Sequence, residues 1–163
     1  IDSFKIEGRM KTALYVATVA RTYRKAIDDY MESEEKYRAN MEYYKREIAK
    51  CTYRQFTTGF YFGKTDSESQ IYDSNTYVKN YTYIGTVREV TPDGCVCFEQ
   101  KNKFLVGEKL EAMGFDGTNI ECEVQAIYDE KENSMDSAPH PKQKLRVKLD
   151  KELETGIILR RKE

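Results

Sequence analysis

The apolar residues of this chain keep one period near its start and another over its second half, and that switch rules out both an all-helical and an all-β fold. From Met10 to Met31 they recur at three- and four-residue steps (Ala13, Val16, Ala17, Ala20, Tyr23, Ile27, Tyr30, Met31), the stripe of an amphipathic helix. A second helix is predicted from about Ser33 to Lys50, marked by Tyr37, Met41, Tyr44 and Ile48. From Tyr81 onward the period is two. Tyr81–Val90, Cys95–Gln100, Lys109–Met113, Ile120–Tyr128, Lys144–Leu149 and Gly156–Leu159 alternate or run short, with Thr91-Pro92-Asp93-Gly94 as a turn between the first two. The class is therefore α+β, and six or seven short strands punctuated by turns predict a small closed or nearly closed β-barrel.

Between these halves lie two segments of different character. Cys51–Gly63 holds two glycines, three threonines and five aromatics, and reads as a compact packed corner plugged by Phe56, Phe60 and Phe62. Residues 64–80 are mostly polar, with Ile71 and Val78 as the aliphatics, and read as a linker. The division is thus 1–63, helical; 64–80, linker; and 81–163, β-barrel. Ile1–Arg9 alternates like a short strand, Phe4 and Ile6 on one side and Lys5 and Glu7 on the other, and Gly8 ends it. Such a strand has no sheet to join. A strand, a glycine and a long amphipathic helix are how the last βα unit of an α/β barrel would look, with Lys5 and Glu7 inward and Arg9 at the rim where that fold keeps its sites. Lys5, Glu7 and Arg9 are accordingly the candidate ligand-binding residues, Arg9 offering a two-pronged fork to a carboxylate or phosphate.

Several function classes fall away on composition. The longest apolar run, Ala13–Ala20, is far short of the roughly 20 residues that cross a bilayer, so no membrane association is expected. Cys51, Cys95, Cys97 and Cys122 make neither a disulfide framework nor a zinc pattern and read as reduced residues of a cytoplasmic protein. With 27 basic against 28 acidic side chains, the total charge does not mark a nucleic-acid binder. The distribution is slightly uneven: 12 basic and 9 acidic over residues 1–63, against 15 and 19 over the rest. The single histidine, His140, lies between Pro139 and Pro141 in an exposed loop, so a Ser–His or Cys–His mechanism has no base. No catalytic residue and no metal site is assigned to this chain.

Two long motifs carry a family likeness. Ser3-Phe4-Lys5-Ile6-Glu7-Gly8-Arg9-Met10-Lys11 with Tyr15–Val19 and Tyr23-Arg24, and then Arg54 with Phe56–Gly63, resemble the end of the core domain of the collagenase-like peptidase family U32. Phe104–Glu108, Leu110-Glu111, Pro141 and Gln143 are similar to that family's C-terminal β-barrel extension. The resemblance implies a parent with a larger N-terminal part, a modified α/β barrel whose cysteine cluster is associated in several members with an iron–sulfur centre; the four cysteines here do not match that cluster. It makes residues 1–63 a helical remnant of the parent's core domain, and that core domain the first expected partner. Proteolysis is the activity the family name records, and other branches are linked to hydroxylation of RNA or of a quinone precursor.

Three roles follow as expectations: a non-catalytic C-terminal region that binds substrate or a partner for a U32 peptidase; the RNA-binding module of a tRNA or rRNA hydroxylation protein; or a structural cap on the core domain. For RNA, Tyr81, Tyr83, Phe98 and Phe104 are the aromatic candidates, with Arg88, Lys101, Lys103, Arg146 and Lys148 beside them. Arg54, Phe56, Thr57, Thr58 and Tyr61 are candidate interface residues. Arg160-Arg161-Lys162 reads as a solvated basic tail. The apolar stripe of the first helix, lacking its neighbours, predicts either a homodimer through that face or a non-native packing partner for it.

Overall fold

The computed structural model describes residues 3–51, 58–65 and 80–163. Helix α1 (Ala13–Glu32) starts later than the stripe predicts, because Thr12 caps it: the Thr12 hydroxyl accepts from the Tyr15 amide at 3.4 Å. Ser33 has extended backbone, which ends α1, and its hydroxyl accepts from the Lys36 amide at 3.0 Å, which starts α2 (Glu34–Ala39). The predicted single helix over residues 33–50 is in fact two, since Asn40 interrupts it before α3 (Met41–Ile48). Asn40 spends its side chain on Asp29 instead of on the helix, donating at 3.0 Å.

Asp29 is the reason the three helices hold together. It is 3% exposed and receives the Tyr44 hydroxyl at 2.6 Å, with Lys25 at 3.2 Å and Lys36 at 3.5 Å completing its shell. Burial by itself would raise its carboxyl, but hydrogen bonds from Tyr44, Lys25 and Asn40 outweigh that and hold it at about 2.

The N-terminal segment corrects one expectation. Residues 3–8 form no strand, because among the described residues no sheet edge offers them a partner. Phe4 is 58% exposed and leans on Tyr23, with ring centroids 6.2 Å apart.

The β unit comprises β1 (Tyr81–Thr86), β2 (Glu89–Val90), β3 (Val96–Glu99), β4 (Phe104–Leu105), β5 (Lys109–Met113), β6 (Asn119–Tyr128), β7 (Ser134–Met135), β8 (Ser137–Ala138), β9 (Lys144–Leu149) and β10 (Ile158–Lys162). Its main sheet is antiparallel in the order β1-β10-β5-β6-β9-β3-β2, with β7 on β6, and β4 pairs with β8 separately. Inward residues of every long strand meet in one core, including Ile84, Phe98, Phe104, Leu110, Val124, Ile127, Val147 and Leu159. The predicted barrel does not close: among the described residues no ladder joins β1 to β2 or β3, so the sheet curls but keeps two ends. One main-chain bond joins the segment after β3 to β1, Lys101 N–H to Ile84 O at 2.8 Å, while Arg88 N–H to Cys97 O at 2.8 Å continues the β2–β3 ladder.

Helices and sheet are joined by buried charge. Glu47 of α3, 2% exposed, accepts from Arg21 of α1 at 2.7 Å and from Arg160 of β10 at 2.9 Å, while Lys50 lies at 2.7 Å and Asn119 of β6 donates at 2.8 Å. Arg160 is 0% exposed and also bonds Glu111 of β5 at 2.7 Å, so the predicted solvated tail is wrong at its first residue. Alternation along β10 sends Leu159 into the sheet's own core and Arg160 to the opposite face, where the helices bury it, and Tyr81 covers its guanidinium at 5.0 Å. Desolvation would raise the Glu47 carboxyl, yet the bonds and charges of Lys50 and Arg160 keep it below the usual carboxylate range.

Two outcomes follow. Glu47→Ala leaves the buried Arg160 with one of its two counter-charges removed and Arg21 without its own, and should lower the unfolding free energy by about 3–5 kcal/mol in a urea titration; an unchanged midpoint would show that the network does not hold the units together. Because the folded Asp29 carboxyl is depressed, its stabilisation is complete above the ordinary aspartate value of 3.8 and is lost as pH falls toward about 2. The melting temperature should therefore drop more steeply across that window than it does for Asp29→Asn.

Candidate nucleic-acid interface

The gap in the sheet is where the surface becomes chemically distinctive. The β1–β10 register slips between Tyr83 and Gly85, so Ile84 is an extra residue, and Ile84 and Gly85 are both buried in succession. A bulge of this kind bends its strand and re-aims the side chains beside it. Beside it lies a groove of about 370 Å³ lined by Tyr83, Thr86, Arg88 and Glu89 on one side and by Cys97, Glu99 and Lys101 on the other. Lys144 of β9 lines it as well.

The groove is pre-formed. The Tyr83 hydroxyl shares a hydrogen bond with the Thr86 hydroxyl at 2.8 Å, and the Tyr83 carbonyl accepts from the Asn102 amide group at 2.7 Å, so the ring is fixed along the wall. Glu99 is hydrogen-bonded by Lys101, and that bond, with the charges of Lys101, Lys142 and Lys144, pulls its carboxyl below the ordinary glutamate range. Arg88 is exposed, and among the described residues its guanidinium has no hydrogen-bond or ion-pair partner. The lining thus sets three cations, Arg88, Lys101 and Lys144, against two carboxylates, Glu89 and Glu99, a small positive excess in a β unit that is acidic as a whole, and it can hold an anionic group beside an aromatic face.

Other sequence candidates fall elsewhere. Phe98 and Phe104 are 2% and 0% exposed and stack on each other in the core at 5.9 Å, so neither can meet a base. Tyr81 belongs to the buried charge network, with Lys50 5.3 Å from its ring. Arg146 is held by Asp93 at 3.0 Å, by Glu132 and by the Tyr128 ring, and Lys148 donates to the Asp93 carbonyl at 2.7 Å. Lys103 is exposed away from the groove walls. Lys144 was not among the sequence candidates; its exposed outward position on β9 gave no signal until the strand order placed β9 beside β3.

Lys5, Glu7 and Arg9 are all exposed. Lys5 and Glu7 lie 3.8 Å apart, and the Arg9 amide donates to the Glu7 carboxylate at 3.0 Å. Thr58 and Tyr61 sit on an exposed loop; Arg54, Phe56 and Thr57 lie outside the described residues. Phe60 and Phe62 do not plug a packed corner, being 77% and 81% exposed. His140 is exposed. The cysteines are unsuited to a cluster: Cys122 is buried on β6 with its thiol pushed up to about 12 by desolvation, and among the described residues no group of three His, Cys, Asp or Glu side chains is arranged to hold a metal. No described helix is long and apolar enough to cross a membrane.

The family profile described as peptidase family U32 matches residues 1–71, and that of the peptidase family U32 C-terminal domain matches residues 79–160. This chain belongs to peptidase family U32. Among U32 relatives, the tRNA hydroxylation protein P1 of Bacillus subtilis is 36% identical over 99% of this chain and 38% of its own length. The tRNA hydroxylation protein P of Escherichia coli is 30% identical over 98% of this chain and 34% of its own length. The chain therefore spans little more than a third of these curated relatives. A solved C-terminal domain of a putative U32 peptidase from Geobacillus thermoleovorans is 28% identical and covers 49% of this chain and 99% of that one, at a TM-score of 0.45.

The seam of the U32 β unit is tight behind the groove. A Cβ at Gly85 would stand 2.4 Å from the Phe98 ring and 3.2 Å from the Glu99 carbonyl oxygen. Phe98 cannot retreat, because Phe104 stacks behind it. Gly85→Ala should cost about 1–3 kcal/mol in thermal or urea unfolding, and unchanged stability would mean that the two strands are free to part.

Proposed function

We propose that this chain is the RNA-engaging C-terminal region of a U32-family tRNA hydroxylation protein, and that its own part is to hold the RNA, with the chemistry carried elsewhere in the parent. The observation that carries the reading is the groove between β1 and β3, where a fixed tyrosine face lies among Arg88, Lys101 and Lys144. The kind of RNA is taken from the relatives whose names record tRNA hydroxylation and which align over nearly all of this chain. No observation favours a hydrolytic role: the lone His140 is exposed between two prolines, with no nucleophile hydrogen-bonded to it among the described residues.

The exposed loop favours a second, compatible role. Phe60, Tyr61 and Phe62 are 73–81% exposed, and Phe4 and Met10 are exposed as well. Aromatic side chains of this size seek cover, and the parent's core domain is the cover that the family resemblance offers, with Lys5, Glu7 and Arg9 contributing to its rim.

Binding of the purified chain to tRNA should be measured against salt. Three phosphate contacts predict a slope of log K on log salt of about −2 to −3, and Arg88→Gln or Lys144→Gln should each reduce its magnitude by about one. Failure to bind tRNA at low ionic strength would remove the proposal.

A further inference from the structure

We infer that the groove seats one unstacked nucleotide of a single-stranded RNA segment, its base laid on the Tyr83 ring and its neighbouring phosphates held by Arg88, Lys101 and Lys144. This rests on the RNA-engaging reading above and specifies the form of RNA that the surface takes.

Shape comes first. A groove of about 370 Å³ lies at the small end of the range in which pockets enclose a compact ligand. Its two walls are joined by a main-chain bond, Lys101 N–H to Ile84 O at 2.8 Å, so it is a local slot and not a long gap between parted strands. A duplex keeps its base faces stacked and shows only edges and backbone, so it cannot lay a base on a ring inside a slot. A single strand can, because its bases splay and every base has a face to offer.

The wall is ready for that face. Tyr83 is half-buried and its hydroxyl is tied to Thr86, so stacking immobilises little that is not already fixed. Charge then selects the polymer. Lys101 is paired with Glu99 and Lys144 with Glu130, whereas Arg88 stands at the mouth with no side-chain partner among the described residues. An unpaired guanidinium beside an aromatic slot is matched by a phosphate that follows a stacked base, and it can grip that phosphate with two parallel bonds. An acidic peptide would satisfy the cations and leave the ring without a flat partner.

The full chain should be tested with short single-stranded oligouridine carrying one 4-thiouridine, with its duplex on oligoadenosine, and with an acidic peptide, each competing against tRNA. The expected result is displacement by the single strand and not by the duplex, with the photocrosslink mapping to the peptide that contains Tyr83. Tyr83→Leu should weaken oligouridine about 5- to 100-fold and leave the salt slope unchanged. Arg88→Gln, on an exposed side chain that folding does not need, should lower the slope by about one and weaken the crosslink. Equal competition by the duplex, or tRNA binding that persists in Tyr83→Leu with the crosslink elsewhere, would overturn the slot while leaving the RNA reading in place. Displacement by the acidic peptide with the same dependence on Tyr83 would overturn it in favour of a protein ligand. If neither tRNA nor oligouridine binds, the RNA reading itself falls and the slot with it.

Discussion

The joint between the helices and the sheet centres on the carboxylate of Glu47. It lies between two guanidinium groups, one from the first helix and one from the last strand, and takes a further bond from Asn119 on β6. Removing charges from water is costly, and the cost is met only where every charge has close partners. That condition is satisfied here because α1, α3, β5, β6 and β10 each supply one member of the cluster. Arg21 adds bonds to the carbonyls of Gly114 and Thr118 at 3.0 and 3.1 Å, so the same side chain also pins the β5–β6 turn. Apolar packing alone would let a helical layer slide on a sheet; a cluster with fixed donor and acceptor directions does not. The network therefore contributes registry more than net stability.

The gap in the sheet is marked by an equally local irregularity. The β1–β10 ladder carries one surplus residue, Ile84, in β1. With Ile84 and Gly85 both buried, the Phe98 ring fills the space that a side chain at position 85 would need, and a single main-chain bond, Lys101 N–H to Ile84 O, stands there in place of a ladder.

Much of this architecture was legible in the sequence. The change of period placed α1 and the long strands, and the Thr91–Gly94 turn is where it was read, with Gly94 at a φ of +75° that suits glycine. What escaped was whatever depended on partners distant in sequence. An isolated alternating segment at residues 3–8 cannot reveal that it lacks a neighbour. Asn40 looks like an ordinary helix residue until Asp29, eleven positions away, draws its side chain off the helix. Arg160 sits in a basic run and reads as solvated, because its counter-charge is 113 residues away on a helix. The slot was half visible: Tyr83, Arg88 and Lys101 are recognisable as an aromatic with nearby cations, but Phe98 and Phe104 carry the same composition and are core. Residue type alone cannot separate a ring that faces water from one that faces its own sheet.

The two special regions share a strand. Tyr81 and Tyr83 are two positions apart on β1, one covering the Arg160 guanidinium and the other forming the slot wall. The bulge beside the slot falls just beyond them, against the stretch of β10 that carries Arg160 into the charge cluster. A force or displacement at Tyr83 is therefore transmitted through two residues of main chain and one ladder to the joint that fixes the helices. The slot wall is therefore not a loop that can drift but a strand anchored at its other end to a buried ion cluster. The helical layer is fixed relative to that wall through the same strand pair, because Arg160, the β10 partner of Tyr83, is also the guanidinium that Glu47 of α3 holds.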